Sequence, residues 1–457
     1  MACSAASRRV FPDKILILLR FVANCLYSLS ATFPSSLQIL FCSRCPLPGP
    51  TANPTNYPSG PNSFRVLALH EGYDDSLSML TAPTQRILTF GFIAFVLIGL
   101  EQGLLGLFVA ELGTKLAISP EDLGLFFALH GLGSAVVTGS ALIGWMEQRN
   151  NKRIALASLS LCLGSFLVVT GDYWLLKLIA APLLGVGFGG LSMSFNTLFV
   201  THFSQKNAGL LNVLNATYGL GAVAAPWLLS QGLLTGSELF VAIALASMVV
   251  CLGAWNIDDR IPTRSAITSE NEQVAPILPL LLTAFAILFI EAGLTYWMPS
   301  LLSDPAGNGK AAAAYMAHFF FWFVIVRLTA AALAVWISTL GFAVFGLVGI
   351  FCSLILVLAG TVPLADTSFT GAFMGLIFPN AYAWMLTKGG GGTTTGAKIL
   401  LSAITGATLG PWLLGWVLPY LGQSAVLWLL SSLSLATTGL MLITHLNVEY
   451  RKSSRVQ

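Results

Sequence analysis

From residue 86 onward the chain alternates apolar stretches of about 18 to 25 residues with short polar breaks. A helix rises ~1.5 Å per residue, so such stretches match the ~30 Å hydrocarbon core of a bilayer. The pattern predicts twelve helices, at 86–110, 121–145, 154–171, 175–199, 208–230, 238–256, 277–300, 313–335, 339–359, 368–386, 398–419 and 424–444. Ser119-Pro120-Glu121-Asp122 marks the second start: a capping residue, then proline at the first helical position, then acids in the first turn.

The polar breaks are not alike. With the first helix entering from the cytoplasm, one side receives Arg149, Lys152, Arg153, Lys206, Arg260, Arg264, Lys388, Arg451, Lys452 and Arg455. The opposite side receives Lys115 and Lys310, with Lys177 just inside a helix start. Lysine and arginine collect in cytoplasmic loops, so the basic side is expected to be cytoplasmic and the opposite side, called outer below, not. Residues 257–276 carry clustered charge between the sixth and seventh helices and read as a linker. The expected domains are an extension over 1–80, a six-helix bundle over 81–256, that linker, a second bundle over 277–445 and a cytoplasmic tail over 446–457. The extension is basic, serine-rich and acid-poor, which fits either an organellar targeting segment or an extension with no such role.

Composition agrees. Hydrophobic residues make up 56% and charged residues 9%, against roughly 25% charged in a soluble domain. Most of the surface must therefore face lipid, in a plasma or organelle membrane. A net charge of +3 is too small to argue for nucleic acid. Of the seven cysteines, Cys162, Cys251 and Cys352 sit in apolar runs as buried thiols, and Cys42-Ser-Arg-Cys45 lacks the second pair a metal site needs. No cofactor or metal is expected, and no enzyme.

The chain also repeats itself. GAVAAPWLL at 221–229 returns as GATLGPWLL at 406–414, 185 residues later. Glu101-Gln102-Gly103-Leu104 returns as Glu291-Ala292-Gly293-Leu294 at an offset of 190, and Gly187 and Asn196 return as Gly371 and Asn380 at 184. Three helix pairs in order point to duplication of a six-helix unit. The expected architecture is two pseudo-symmetric six-helix bundles with the solute site between them.

Residues 86–444 resemble the major facilitator superfamily, and within it the fucose–galactose–gluconate type of sugar–proton symporter. The likeness rests on glycine-rich helices 4 and 10 with a late Asn, on Leu211-Asn212 and Tyr218-Gly219-Leu220-Gly221 in helix 5, and on Glu291 and Trp297 in helix 7. Trp322 and Arg327, and Phe378-Pro379 with Gly406 and Pro411, extend it. The resemblance implies alternating access, with a solute and protons as cargo and no further partner than the bilayer, in a monomer. It also implies a gating loop after helix 2, matched by Gly144, Arg149, Lys152 and Arg153, although Gln148 and Asn151 stand where the family pattern has Asp and Gly. The symporters' helix-4 carboxylate has no counterpart in GVGFGGLSMSFN.

Ionisable residues inside a span are costly and face the bundle interior, usually paired. Glu101, His130, Glu291 and Arg327 are the candidates for proton coupling. Glu101 and His130 lie at one depth on consecutive helices, and Glu291 lies about 7.5 Å along the axis from Arg327. Each half would then pair a carboxylate with a base, either as a proton switch or as a static lock between helices. Asn196, Asn212, Asn215 and Asn380 are candidates for hydrogen-bonding a solute, or for bonding between helices. Trp297 is a candidate for the cavity wall, or an interface anchor. Gly185-Val-Gly187-Phe-Gly189-Gly190 fits a dinucleotide fingerprint only by letters, since no strand precedes it. The expected function is secondary transport of a sugar or similar polar solute. Efflux of amphipathic compounds and solute sensing on the same fold are the alternatives.

Overall fold

The computed structural model describes residues 82–142, 150–202, 208–255, 257, 275–302, 309–334, 336–390 and 393–456. The N-terminal extension, Gly144, Arg149 and most of the linker lie outside them, as do Cys42 and Cys45. Among the described residues the helices are α1 Ala82–Leu116, α2 Pro120–Leu142, α3 Asn150–Val169, α4 Trp174–His202, α5 Ala208–Ser230 and α6 Gly236–Ala254. In the second half they are α7 Ile277–Leu302, α8 Lys310–Leu333, α9 Thr339–Leu358 and α10 Thr370–Lys388, then α11 and α12 within Thr393–Val456. Gly422 divides that last stretch: its φ of 78° belongs to the left-handed region that suits glycine, so α11 covers 393–421 and α12 covers 423–456. The elements are those the hydrophobic pattern predicts. α1 is longer than expected at both ends, and α12 runs on from 444 to 456.

Helix is the form available to a single span, because lipid offers no partner for a free N–H or C=O. Caps fix the ends that reach water. The Ser119 hydroxyl accepts from the Asp122 amide at 3.3 Å before α2, and Thr235 with Glu238 forms a reciprocal capping box before α6. Among the described residues nine stretches are long and apolar enough to cross a bilayer, the last containing both α11 and α12. α5 and α10 are not among them. They carry Asn212, Asn215 and Asn380 among small residues and proline, which lowers their hydropathy.

The duplication is visible in the packing. α3 packs on α4 and α6, and α2 on α4; six helices later α9 packs on α10 and α12, and α8 on α10. The repeated glycines make equivalent contacts. A Cβ at Gly221 on α5 would meet the Val96 carbonyl on α1, and a Cβ at Gly406 on α11 would meet the Phe285 carbonyl on α7. Both glycines thus let two backbones close to near contact, which explains why the GA…PWLL stretch occurs twice. On α4, Gly185 and Gly189 press on His130 and Ser134 of α2; on α10, Gly371 and Gly375 press on Phe319 and Phe323 of α8. The contacts therefore match Gly185 with Gly371, an offset of 186, whereas the sequence match of Gly187 with Gly371 is two residues out of register.

The halves meet through α2 with α11 and α5 with α8. These contacts are densest on the outer side. A Cβ at Gly415 would lie 2.6 Å from the Pro120 carbonyl, and one at Gly124 would lie 3.1 Å from that of Trp412. Further along α2, Gly131 abuts Thr408, whereas Gly139, two turns nearer the basic side, has nothing within 4 Å of such a Cβ. The bundles are closed at the outer end of α2 and α11.

Candidate functional site

Halfway along α1, Glu101 is fully buried, and α2 brings His130 beside it with 3% of its surface exposed. The two helices run antiparallel through a short connection, so residues equally far from it share a depth. His130 Nε2 stands 3.0 Å from Glu101 Oε1. Neither carboxylate oxygen nor Nε2 has an aligned hydrogen bond among the described residues. The approach therefore lies off the ring N–H direction, a contact of charge or dipole that a small rotation would improve.

Rings from both halves surround the pair. Phe188 of α4 lies 6.0 Å from the imidazole, and Tyr296 of α7 stands edge-on to it at 6.3 Å between centroids. Tyr296 stacks on Phe127 at 4.7 Å, nearly parallel, and donates its hydroxyl to Gln102 Oε1 at 3.3 Å. Tyr218 of α5, 6.4 Å from Phe188, lies within electrostatic reach of Glu101, Glu291 and Arg327. The four expected ionisable residues thus belong to one charged cluster spanning α1, α2, α7 and α8, joined by Gln102, Tyr218 and Tyr296.

Glu291 and Arg327 do not close into a contact pair. Arg327 Nε donates to the Gly375 carbonyl at 3.3 Å, and its guanidinium lies 3.9 Å over the Phe323 ring. Glu291 keeps one oxygen buried without a hydrogen-bond partner among the described residues, though Arg327 is its electrostatic neighbour. The duplication explains the difference between halves. The position on α8 equivalent to His130 is Phe319, as their shared glycine contacts show. Arg327 lies eight residues further along α8, roughly 12 Å deeper. The second basic residue is no copy of the first.

The remaining candidates are dispersed. Trp297 is 1% exposed, and its indole N–H donates to the Pro411 carbonyl at 2.8 Å. It sits inside the outer closure, with no donor left for a solute, so in this conformation it packs between α7 and α11 and does not line an open wall. Asn215 and Asn380 donate to the carbonyls of Leu211 and Leu376, one turn back on their own helices, at 2.9 and 2.7 Å. Asn215 shares the α8-facing side of α5 with Tyr218 and Gly219. Asn196 is half-buried on α4, and the Asn212 side chain lies outside what is described. Of the residues matched to the gating loop, Lys152 and Arg153 stand in the first turn of α3, Lys152 exposed and Arg153 donating to Asn150 Oδ1 at 2.5 Å. An apolar groove of about 610 Å³ between α7, α11 and α12, lined by residues such as Phe285, Trp416 and Leu429, shares no residue with the charged cluster.

Sequence reasoning singles out the four ionisable residues but not Gln102, Phe127, Tyr296 or Phe323. Gln102 carries a usable signal, a polar residue next to Glu101 deep in an apolar span. The aromatic residues carry none, because this chain holds them on every face.

Comparison with known proteins fits this architecture. The family described as the Major Facilitator Superfamily matches residues 91–397. No curated protein sequence matches the chain. Among solved structures, a variant of the nucleoside transporter NupG aligns with a TM-score of 0.64 and 13% identity, over 79% of this chain and 99% of its own. A D-xylose–proton symporter aligns at 0.65 and 12%, over 78% and 96%. The xylose transporter XylE from E. coli, in a partially occluded inward open conformation, aligns at 0.61 and 12%, over 79% and 98%. At such identities the likeness is one of fold.

Proposed function

The chain belongs to the Major Facilitator Superfamily, and we propose that it is a secondary transporter moving a sugar or similar small polar solute by alternating access, coupled to protons. It is an integral membrane protein of many passes with the fold of a transporter, and that fold does not by itself choose a cargo. The observation that carries the proposal is the buried contact between Glu101 and His130. A carboxylate and an imidazole 3.0 Å apart, buried and without aligned hydrogen bonds among the described residues, are an acid and a base placed where a small movement joins or separates them. Histidine is also the side chain whose ordinary titration range lies nearest neutrality.

The pair adjoins the surface where the two bundles meet, so movement of one bundle against the other changes what surrounds it. Glu291, with one oxygen unpartnered, and Arg327, held over Phe323, supply an acceptor and donors on the opposite bundle. Hydroxyl groups of a polyol, able to donate and accept at once, suit such a divided set. The likeness of fold to a xylose–proton symporter and a nucleoside transporter supports a small polar cargo without deciding between sugars, nucleosides and others.

The test is counterflow in liposomes. Vesicles holding the full chain and loaded with an unlabelled solute should accumulate the labelled form transiently, and saturably, for one member of a panel of monosaccharides, polyols and nucleosides. Specific binding of a panel member without counterflow would sink transport in favour of sensing.

A further inference from the structure

We infer that Tyr296 is the lid of the buried Glu101–His130 pair, so that opening the outer side and exposing the pair to outer water are one event. Tyr296 belongs to the second bundle, yet each of its close contacts described above is with the first. Its ring stacks on Phe127 and stands edge-on to His130, and its hydroxyl donates to Gln102, the residue next to Glu101. The seat is built to receive it. A Cβ added at Gly106, one turn outward of Gln102, would lie 2.9 Å from the Thr295 carbonyl and 3.2 Å from Tyr296 Cα. Only glycine there lets the α7 backbone come close enough for the hydroxyl to reach Gln102.

On the outer side Tyr296 is backed by Trp297, whose indole is tied to Pro411 of α11 and whose ring meets Phe127 edge-on at 6.0 Å. Tyr296 is 6% exposed and Phe127 1%, so the stack is a dry plug. The titratable groups around the pair are Tyr218 of α5 and Glu291 and Tyr296 of α7, with Arg327 of α8 next to Glu291 and Tyr218. Of these, Tyr296 is the one whose ring stack and hydroxyl bond, as described above, run from the second bundle to the first. When α7 leaves α1 and α2, Tyr296 must leave with it, and His130 loses its cover.

The inference deepens the transport proposal, but its readout is chemical access to His130, so the two can fail separately. Full-length protein in liposomes would be treated with diethyl pyrocarbonate, which modifies accessible imidazoles, and modification of His130 followed by site-resolved mass spectrometry relative to His445 on α12. Taking the ratio within one molecule cancels general loosening. In the wild type His130 should react slowly. Tyr296→Ala, and Phe127→Ala from the other side of the stack, should each raise the ratio about tenfold or more, as expected when a protecting contact is removed. Tyr296→Phe keeps the ring and should stay near the wild type. An unchanged ratio in Tyr296→Ala would overturn the inference, and so would Tyr296→Phe reacting as fast as Tyr296→Ala.

Discussion

His130 on α2 holds its Nε2 3.0 Å from Glu101 Oε1 on α1, with both side chains out of contact with water. Breaking a buried pair by removing one partner leaves the other polar group stranded, at a cost of about 3–5 kcal/mol. His130→Ala and Glu101→Ala should each destabilise the protein on that scale. The double change Glu101→Ala with His130→Ala should cost clearly less than the sum of the two single changes. Denaturation in mixed micelles measures this, and additive single effects would contradict the contact.

The duplicated glycines should fail alike. Gly221→Leu and Gly406→Leu each push a side chain into the backbone of the neighbouring helix, at Val96 and at Phe285. Overpacking of this kind costs about 1–3 kcal/mol or more. Gly139→Leu, where the space is open, should be tolerated. Tolerance at 221 or 406 in the same denaturation assay would contradict the packing described.

Arg327 uses the shape of its guanidinium as well as its charge. Lysine at 327 keeps the charge but has no Nε–H for the Gly375 carbonyl and no planar group to lie over Phe323. Arg327→Lys should therefore lose most of the stability that Arg327→Ala loses, an effect of about 1–2 kcal/mol. A lysine variant as stable as the wild type would show that charge alone matters there.

One ion pair should play no part in pH dependence near neutrality. Lys115 and Asp172 meet at 2.7 Å on the outer surface, and the Lys115 ammonium, first by its hydrogen bond and then by its charge, holds the Asp172 carboxyl below its usual range. A depressed carboxyl contributes stability above its unfolded pKa, about 3.9, that is lost as pH falls through the lower folded value. The pair is exposed and worth little. Asp172→Asn should leave the profile of melting temperature between pH 5 and pH 8 unchanged, and a changed profile would contradict this reading.

Much of this was legible in the residues. Eighteen-residue apolar runs leave a chain in lipid no other form than helix, and GA…PWLL marks the duplication because its first glycine, Gly221 and Gly406, serves one steric purpose in both copies. Depth on consecutive helices brought Glu101 to His130. Arg327 eluded that reasoning because residue spacing gives depth but not the direction of a long side chain, which Gly375 and Phe323 capture first. The outer closure escaped it for another reason. In an aromatic-rich chain, nothing in Tyr296-Trp297 tells which ring plugs the site and which ties α7 to α11.

The most direct test of proton coupling uses the full chain in liposomes with an internal pH dye, challenged with the panel solute that shows counterflow. The account predicts acidification inside the vesicles on adding that solute, abolished in Glu101→Gln while counterflow of the solute persists. Solute uptake without any proton movement in the wild type, or proton influx undiminished in Glu101→Gln, would contradict it.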